Sequence, residues 1–164
     1  MNKRVLIMMI GVPGSGKTTI AERITKKYNI PVVSSDKIRE KLYGKEEIQG
    51  RSQEVFEKVY EHINFFLECY GVCILDATNV VKRNRINAVL KTLPDEIVYI
   101  IADEDLNLAK ERNHSRERVV PNEVIDRMNR QLQKNYPHEG EIKNLYIFHY
   151  NDEALEDYLE ELLW

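Results

Sequence analysis

The chain has 164 residues, 43% of them hydrophobic and 31% charged, enough for one compact domain with a real core and too few for much more. Its formal net charge of -3, from 24 Lys+Arg against 27 Asp+Glu, excludes a global attraction to nucleic acid or to an anionic membrane, so either contact must use a local patch. The two cysteines, Cys69 and Cys73, are too few for a disulfide framework or a four-ligand zinc site; both fall where a helix gives way to a strand and read as buried free thiols.

Met1 to Arg4 followed by the apolar run Val5 to Ile10 has the outline of a secretion signal, but the run is too short and leads straight into a glycine-rich loop. No other run is long enough to span a bilayer, and the expectation is a protein of the reducing cytoplasm. Val5 to Ile10 reads instead as a first buried strand. After it, Gly11-Val12-Pro13-Gly14-Ser15-Gly16-Lys17-Thr18 fits the phosphate-cradling pattern G-x-x-x-x-G-K-[ST]. A polyphosphate needs many donors in a small arc. Glycines clear that arc, so successive backbone N–H groups can turn inward and the following helix adds its positive end. The motif predicts a nucleoside triphosphate held by Gly11, Gly14, Ser15, Gly16, Lys17, Thr18 and Thr19. Lys17 would reach the β and γ phosphates, and the Thr18 hydroxyl would serve a magnesium ion.

Ala21 and Ile24 continue the helix, and Pro31 to Ser34 form the second strand. Beyond it, Ser34-Ser35-Asp36-Lys37-Ile38-Arg39 places Asp36 and Arg39 three residues apart on one helix face. That puts a proton acceptor beside an anion binder: Asp36 as base for an incoming hydroxyl, Arg39 on a phosphate of the acceptor. The plainer alternative is a helix cap with a solvated arginine. Val55, Val59, Ile63, Phe66 and Tyr70 mark one apolar stripe on a long helix. The strand Val72 to Leu75 then delivers Asp76-Ala77-Thr78-Asn79. An acid emerging there is placed to bind magnesium directly or through water, against the alternative of an Asx turn. Lys82, Arg83 and Arg85 follow, forming with Arg39 and the later arginines a candidate basic patch for a nucleic-acid backbone.

Ile97 to Ala102 is the fourth strand, with Asp103 or Asp105 capping a helix through Leu108. In Arg112-Asn113-His114-Ser115-Arg116-Glu117-Arg118, helical spacing puts Arg112 and Arg116 on one face. These arginines are expected to fold over the triphosphate as a lid, about residues 111–121, with Arg116 ahead of Arg118 as an arginine finger in cis. His114 receives no catalytic role. Pro121 suits the first turn of a helix with Val124, Ile125, Met128 and Leu132 facing inward. Leu145 to Tyr150 is the fifth strand, and the helix Ala154 to Leu163 presents Leu155, Tyr158, Leu159 and Leu162 to the body. Alternating strands and helices predict an α/β three-layer sandwich: a five-stranded, mostly parallel sheet with helices on both faces and ligands at the carboxyl ends of the strands. The whole of 1–164 reads as one domain.

The ordered set GVPGSGKT, SSDKIR, LDATN and RNHSR followed by VVP resembles the phosphate-loop kinase group that contains the bacteriophage polynucleotide 5'-kinase domain. SSDKIREKLYG and VPNEVIDRM are also similar to the kinase that phosphorylates seryl-tRNA. The resemblance implies Lys17 and Thr18 on ATP and magnesium, Asp36 as base, Arg39 on the acceptor phosphate, Asp76 near the metal and Arg116 in the lid. The phosphatase domain of the phage enzyme and the tRNA-gripping domain of the other relative are not expected here, and Thr18 stands where the phage enzyme has serine. On this reading the chain is a phosphotransferase whose partners are ATP and a 5'-OH nucleic-acid end. Two alternatives stay open: a kinase of a small metabolite, and a regulatory ATPase without an acceptor, which needs neither Asp36 nor Arg39. Oligomeric state stays open as well.

Overall fold

A computed structural model describes residues 3–44, 52–103, 105–116 and 119–163. Six consecutive apolar residues in β1 (Val5–Ile10) lack the alternation of a strand with one wet face, and all six are fully buried. β1 therefore lies mid-sheet. Around it stand β2 (Val32–Ser34), β3 (Val72–Asp76), β4 (Glu96–Ile101) and β5 (Leu145–His149) in the order β2-β3-β1-β4-β5. Each neighbouring pair is parallel, so the expected "mostly parallel" sheet is parallel throughout its described strands.

Residues alternate across β1 and feed two cores. Leu6, Met8 and Ile10 pack with α2 (Ser35–Tyr43), α3 (Ser52–Tyr70) and α4 (Lys82–Thr92) on one face. Val5, Ile7 and Met9 pack with α1 (Lys17–Tyr28) and α7 (Glu153–Leu163) on the other. A third, smaller cluster joins Val12 of the glycine loop to α5 (Leu106–His114) and α6 (Asn122–Lys134) through Ala109, Val120 and Ile125. A 3₁₀ turn, Glu139–Glu141, precedes β5. The result is the three-layer sandwich expected, with one helix, α4, that the reading of the sequence had not marked. Asp105, not Asp103, caps α5, accepting from the N–H groups of Asn107 and Leu108. Among the described residues no helix is long and apolar enough to cross a membrane.

Two expectations need correction. On α3 the buried stripe is Val55, Val59, Ile63 and Leu67, whereas Phe66 is half-buried and Tyr70 is 59% exposed. Tyr70 is the last helical residue before the turn through Gly71 (φ 75°), and its ring leans on Phe66 rather than on the sheet. Cys69, two residues from Leu67 and so on the opposite side of the helix, is exposed; only Cys73 is buried, its thiol pushed up to about 12 by burial.

This difference is measurable by urea unfolding. Leu67→Ala is expected to cost about 2–5 kcal/mol, as emptied core positions do. Tyr70→Ala is expected to cost about 0.5 kcal/mol or less, as a surface change.

Candidate active site

At the carboxyl edge of β1 the chain enters the loop 11–16, whose path demands glycine at position 14 and leaves little room at position 11. A Cβ on Gly11 would fall 2.5 Å from Ser15 Oγ, and one on Gly14 (φ +83°) only 2.1 Å from the Ala109 carbonyl. The loop is stitched outward by Gly11 N–H donating to Thr78 O (3.0 Å) and Ser15 N–H to Val12 O (3.1 Å). Gly16 (φ 94°) begins α1 without a capping side chain, which leaves the first N–H groups of the helix for an anion. Ser15 Oγ is buried without a hydrogen-bond partner, a group that a phosphate oxygen would satisfy.

Lys17 is buried, and its Nζ donates to Val12 O at 2.9 Å. Burial lowers its pKa to about 8; the carboxylates of Asp76 and Asp36 oppose that shift and the charge of Arg116 adds to it. Next along α1, Thr18 Oγ1 donates to Asp76 Oδ2 at 2.8 Å. Asp76, the last residue of β3, is itself buried, and burial raises its pKa against the lowering effects of Lys17 and Thr18. A hydroxyl touching a carboxylate beside the phosphate cradle is the donor set that an oxygen-preferring cation such as magnesium takes. Thr19, expected in the cradle, is exposed in the first turn of α1.

β2 runs directly into α2, and Ser34 caps that helix by accepting from Lys37 N–H at 3.3 Å. The cap is thus Ser34, and Asp36 in the first turn faces the cleft. Its Oδ1 lies 3.0 Å from Arg39 Nη1, with the Asp36 side chain 38% exposed and that of Arg39 only 7%. Both line the cleft with Lys17, Thr18 and Asp76.

From the lid side, the expectation that Arg112 and Arg116 share a helix face is corrected: α5 ends at His114, and Arg116 follows in a turn closed on Asn113 O. The two still converge. Arg112 Nη1 would sit 3.8 Å from a Cβ on Gly16, and Arg116 lines the cleft near Lys17. Arg118 and Glu117, within the predicted lid, lie outside the described residues. His114 is exposed. Asn113 is wholly buried and pairs reciprocally with the Val120 backbone, its Nδ2 donating to Val120 O (2.6 Å) and its Oδ1 accepting from Val120 N–H (3.0 Å). That clamp closes the segment carrying Arg116.

A match of residues 6–135 to a protein-family model described as an AAA domain covers most of this architecture. The chain belongs to that family. Among curated relatives of this AAA domain, a shikimate kinase from Caldicellulosiruptor saccharolyticus is 28% identical over 112 residues, covering 60% of this chain and 65% of that protein. Among solved structures, a chain of the Pnkp1/Rnl/Hen1 RNA repair complex superposes with a TM-score of 0.72 at 25% identity, over 82% of this chain and 46% of the other. A gluconokinase from Sinorhizobium meliloti, with a TM-score of 0.57 and 16% identity over 99% and 90%, shares the fold. The chain spans less than two thirds of the shikimate kinase and less than half of the repair-complex chain.

Three features of the AAA domain went unread in the sequence. The cleft that Lys17 lines also has an apolar wall of Phe56, Val120, Val124 and Met128, and Ser35, Ser52 and Asn84 line it too. Helical spacing turns Met128 and Val124 inward, and only the fold brings them beside Phe56. The Asn113–Val120 clamp had no sequence signal beyond an asparagine inside a basic run. Arg85, assigned to a surface patch, is completely buried; its spacing with Ala88 and Thr92 on the inner stripe of α4 was the available sign. Arg83 is exposed and Lys82 half-exposed, and neither lines the cleft.

Lys17 makes nucleotide binding sensitive to alkaline pH. A polyphosphate favours its charged form, so its pKa rises on binding. Below about pH 8 the amine is protonated in both states and no proton moves; above it the free protein holds the neutral amine, and binding draws a proton from solution. Calorimetry of ADP binding in EDTA, in two buffers of different ionisation enthalpy, is expected to show uptake of up to one proton at pH 9. None is expected at pH 7 or in Lys17→Met.

Proposed function

We propose that the protein is an ATP-dependent kinase that transfers the γ-phosphoryl group to the 5'-hydroxyl of a nucleic-acid end. The observation that supports this reading is that Asp36, paired with Arg39, lines one cleft with Lys17 and Asp76. A switch ATPase has no use for a half-exposed carboxylate facing its phosphate loop. The apolar wall favours the choice of acceptor. Phe56, Val120, Val124 and Met128 offer a surface on which a flat nucleobase packs, whereas a hydroxyl-rich sugar acid would lose its hydrogen bonds there. The likeness to a chain of an RNA repair complex points the same way.

In this scheme Asp36 accepts the proton of the 5'-hydroxyl as its oxygen attacks the γ phosphorus. The bond from the γ phosphorus to the bridging oxygen breaks, and ADP leaves with that oxygen. Lys17 and Arg116 balance charge on the transferring group from two sides, and the loop N–H groups hold the rest of the polyphosphate. Arg39 orients Asp36 and stands ready for an acceptor phosphate. Thr18 and Asp76 would hold a magnesium ion, which supplies neutralisation of the phosphate oxygens.

End-labelling of 5'-OH oligonucleotides with labelled ATP and magnesium tests the reading. Asp36→Asn is expected to slow transfer by roughly 10²–10⁴-fold, the usual worth of a positioned base, with the KM for ATP little changed. Equal labelling by this variant would remove Asp36 as the base. A salt titration separates acceptor classes. For a single strand, the logarithm of KM should rise with the logarithm of salt by about 0.7 per phosphate contact. A metabolite acceptor would leave the slope near zero.

A further inference from the structure

The scheme above leaves one buried charge unused. Arg85 of α4 and Glu141 of the 3₁₀ turn form an ion pair whose side chains are both wholly sealed from solvent. The contact is a fork: Arg85 Nη2 lies 2.6 Å from Glu141 Oε1, and Nε lies 3.0 Å from Oε2. Arg85 also donates through Nη1 to Asn79 O (2.9 Å) and through Nη2 to Asn135 O (2.5 Å). From β4, the Tyr99 hydroxyl donates to Glu141 Oε2 at 2.7 Å.

Taking two charges out of water costs several kcal/mol for each ion, and an apolar pair of equal volume often stabilises a fold as well or better. Stability is therefore a poor account of this pair. An apolar pair could not hold two carbonyls from different segments, which is what the guanidinium does. One of them, Asn79 O, closes the loop Ala77–Thr78–Asn79 that directly follows Asp76 and lines the cleft. The same loop is tied to the phosphate cradle by Gly11 N–H on Thr78 O and to β1 by Asn79 Nδ2 on Met9 O (2.7 Å). Asn79 takes a left-handed conformation (φ 49°) to make these contacts at once. The other carbonyl, Asn135 O, belongs to the C-cap residue of α6, whose own N–H closes on Gln131 O and Leu132 O; α6 is the helix that brings Val124 and Met128 to the acceptor wall. Glu141 lies beyond the 6–135 segment shared with the family, so this half of the pair comes from the chain's own later part.

We propose that the Arg85–Glu141 pair is a positioning device for phosphoryl transfer, setting the Asp76–Asn79 loop against the acceptor wall on α6. The proposal rests on the kinase reading above. Neither residue touches nucleotide or acceptor, so neither is catalytic. Their loss should misplace the loop relative to the acceptor by a fraction of an ångström while the phosphate cradle, which also packs on α5 and the end of β4, keeps its affinity for ADP.

The test uses Glu141→Gln, which retains the shape and one acceptor, and Tyr99→Phe, which removes only the hydroxyl that steadies Glu141. Turnover is measured per ADP-binding molecule, well below the unfolding temperature, on a 5'-OH oligonucleotide and, with no acceptor, on water. The expected result for Glu141→Gln is a fall in kcat of about 10- to 100-fold, as displacements near 1 Å produce, with the ADP Kd within about threefold of wild type. Tyr99→Phe should fall by a few-fold in the same sense. A merely structural role would lower the unfolding temperature and leave kcat per binding site unchanged; kcat within twofold of wild type for both variants overturns the proposal. Should Glu141→Gln fail to fold, Tyr99→Phe decides alone by the same criterion. A wild-type protein that hydrolyses ATP but labels no 5'-OH end sinks the kinase reading instead, and the variants' ratio on water still tests the pair. A protein inert in both assays overturns the two together.

Discussion

Everything in the cleft depends on a backbone passing too close to its neighbours for any side chain to intervene. Gly14 lies against the Ala109 carbonyl and Gly11 against Ser15 and Ala102, so contacts from α5 and the end of β4 hold the loop alongside its own bond from Ser15 N–H to Val12 O. Packing from outside spares the Ser15 hydroxyl, which is buried without a partner. It also explains why a separate cluster of Val12, Ala109, Val120 and Ile125 exists away from the two large cores. Those four side chains bring α5 and α6 to the phosphate loop.

Around that loop, each charge sits where its neighbours make it uncomfortable. Burial drives Lys17 toward neutrality while Asp76 and Asp36 pull it back, and burial lifts Asp76 while Lys17 and Thr18 pull it down. Such opposed effects keep a site responsive, because a polyphosphate with its cation tips both balances in the direction of the ionised groups. Asp36 differs in being half-exposed and held by Arg39, with Ser34 satisfying the helix end next to it. Ser34, not Asp36, satisfies the helix end, so the carboxylate pairs with Arg39 instead.

Much of this was legible in the residues. All five strands lie within one residue of their apolar runs, since charged or glycine residues bound three of the runs, asparagines bound the last, and length separates them from helices. The loop motif, Asp36 with Arg39, and Asp76 all reach one cleft because parallel strands deliver their carboxyl ends to one edge. What escaped depends on tertiary neighbours. Tyr70 keeps the spacing of the α3 stripe yet falls at the helix end, where periodicity says nothing about what lies underneath. Arg85 was given to solvent because charges usually go there, and its partner is 56 residues away. The apolar wall draws on residues 56, 120, 124 and 128, whose meeting no local pattern records.

The non-sequential strand order has a consequence for biosynthesis. β1, the most apolar segment of the chain, takes its hydrogen-bonding neighbours from β3 and β4, the latter ending at Ile101. A ribosome adding roughly 5–20 residues per second leaves that strand without either flank for several seconds after it emerges. Nascent chains of this protein should thus dwell in a sticky, half-made condition, and they are natural clients for a holding chaperone until the second half of the polypeptide is out.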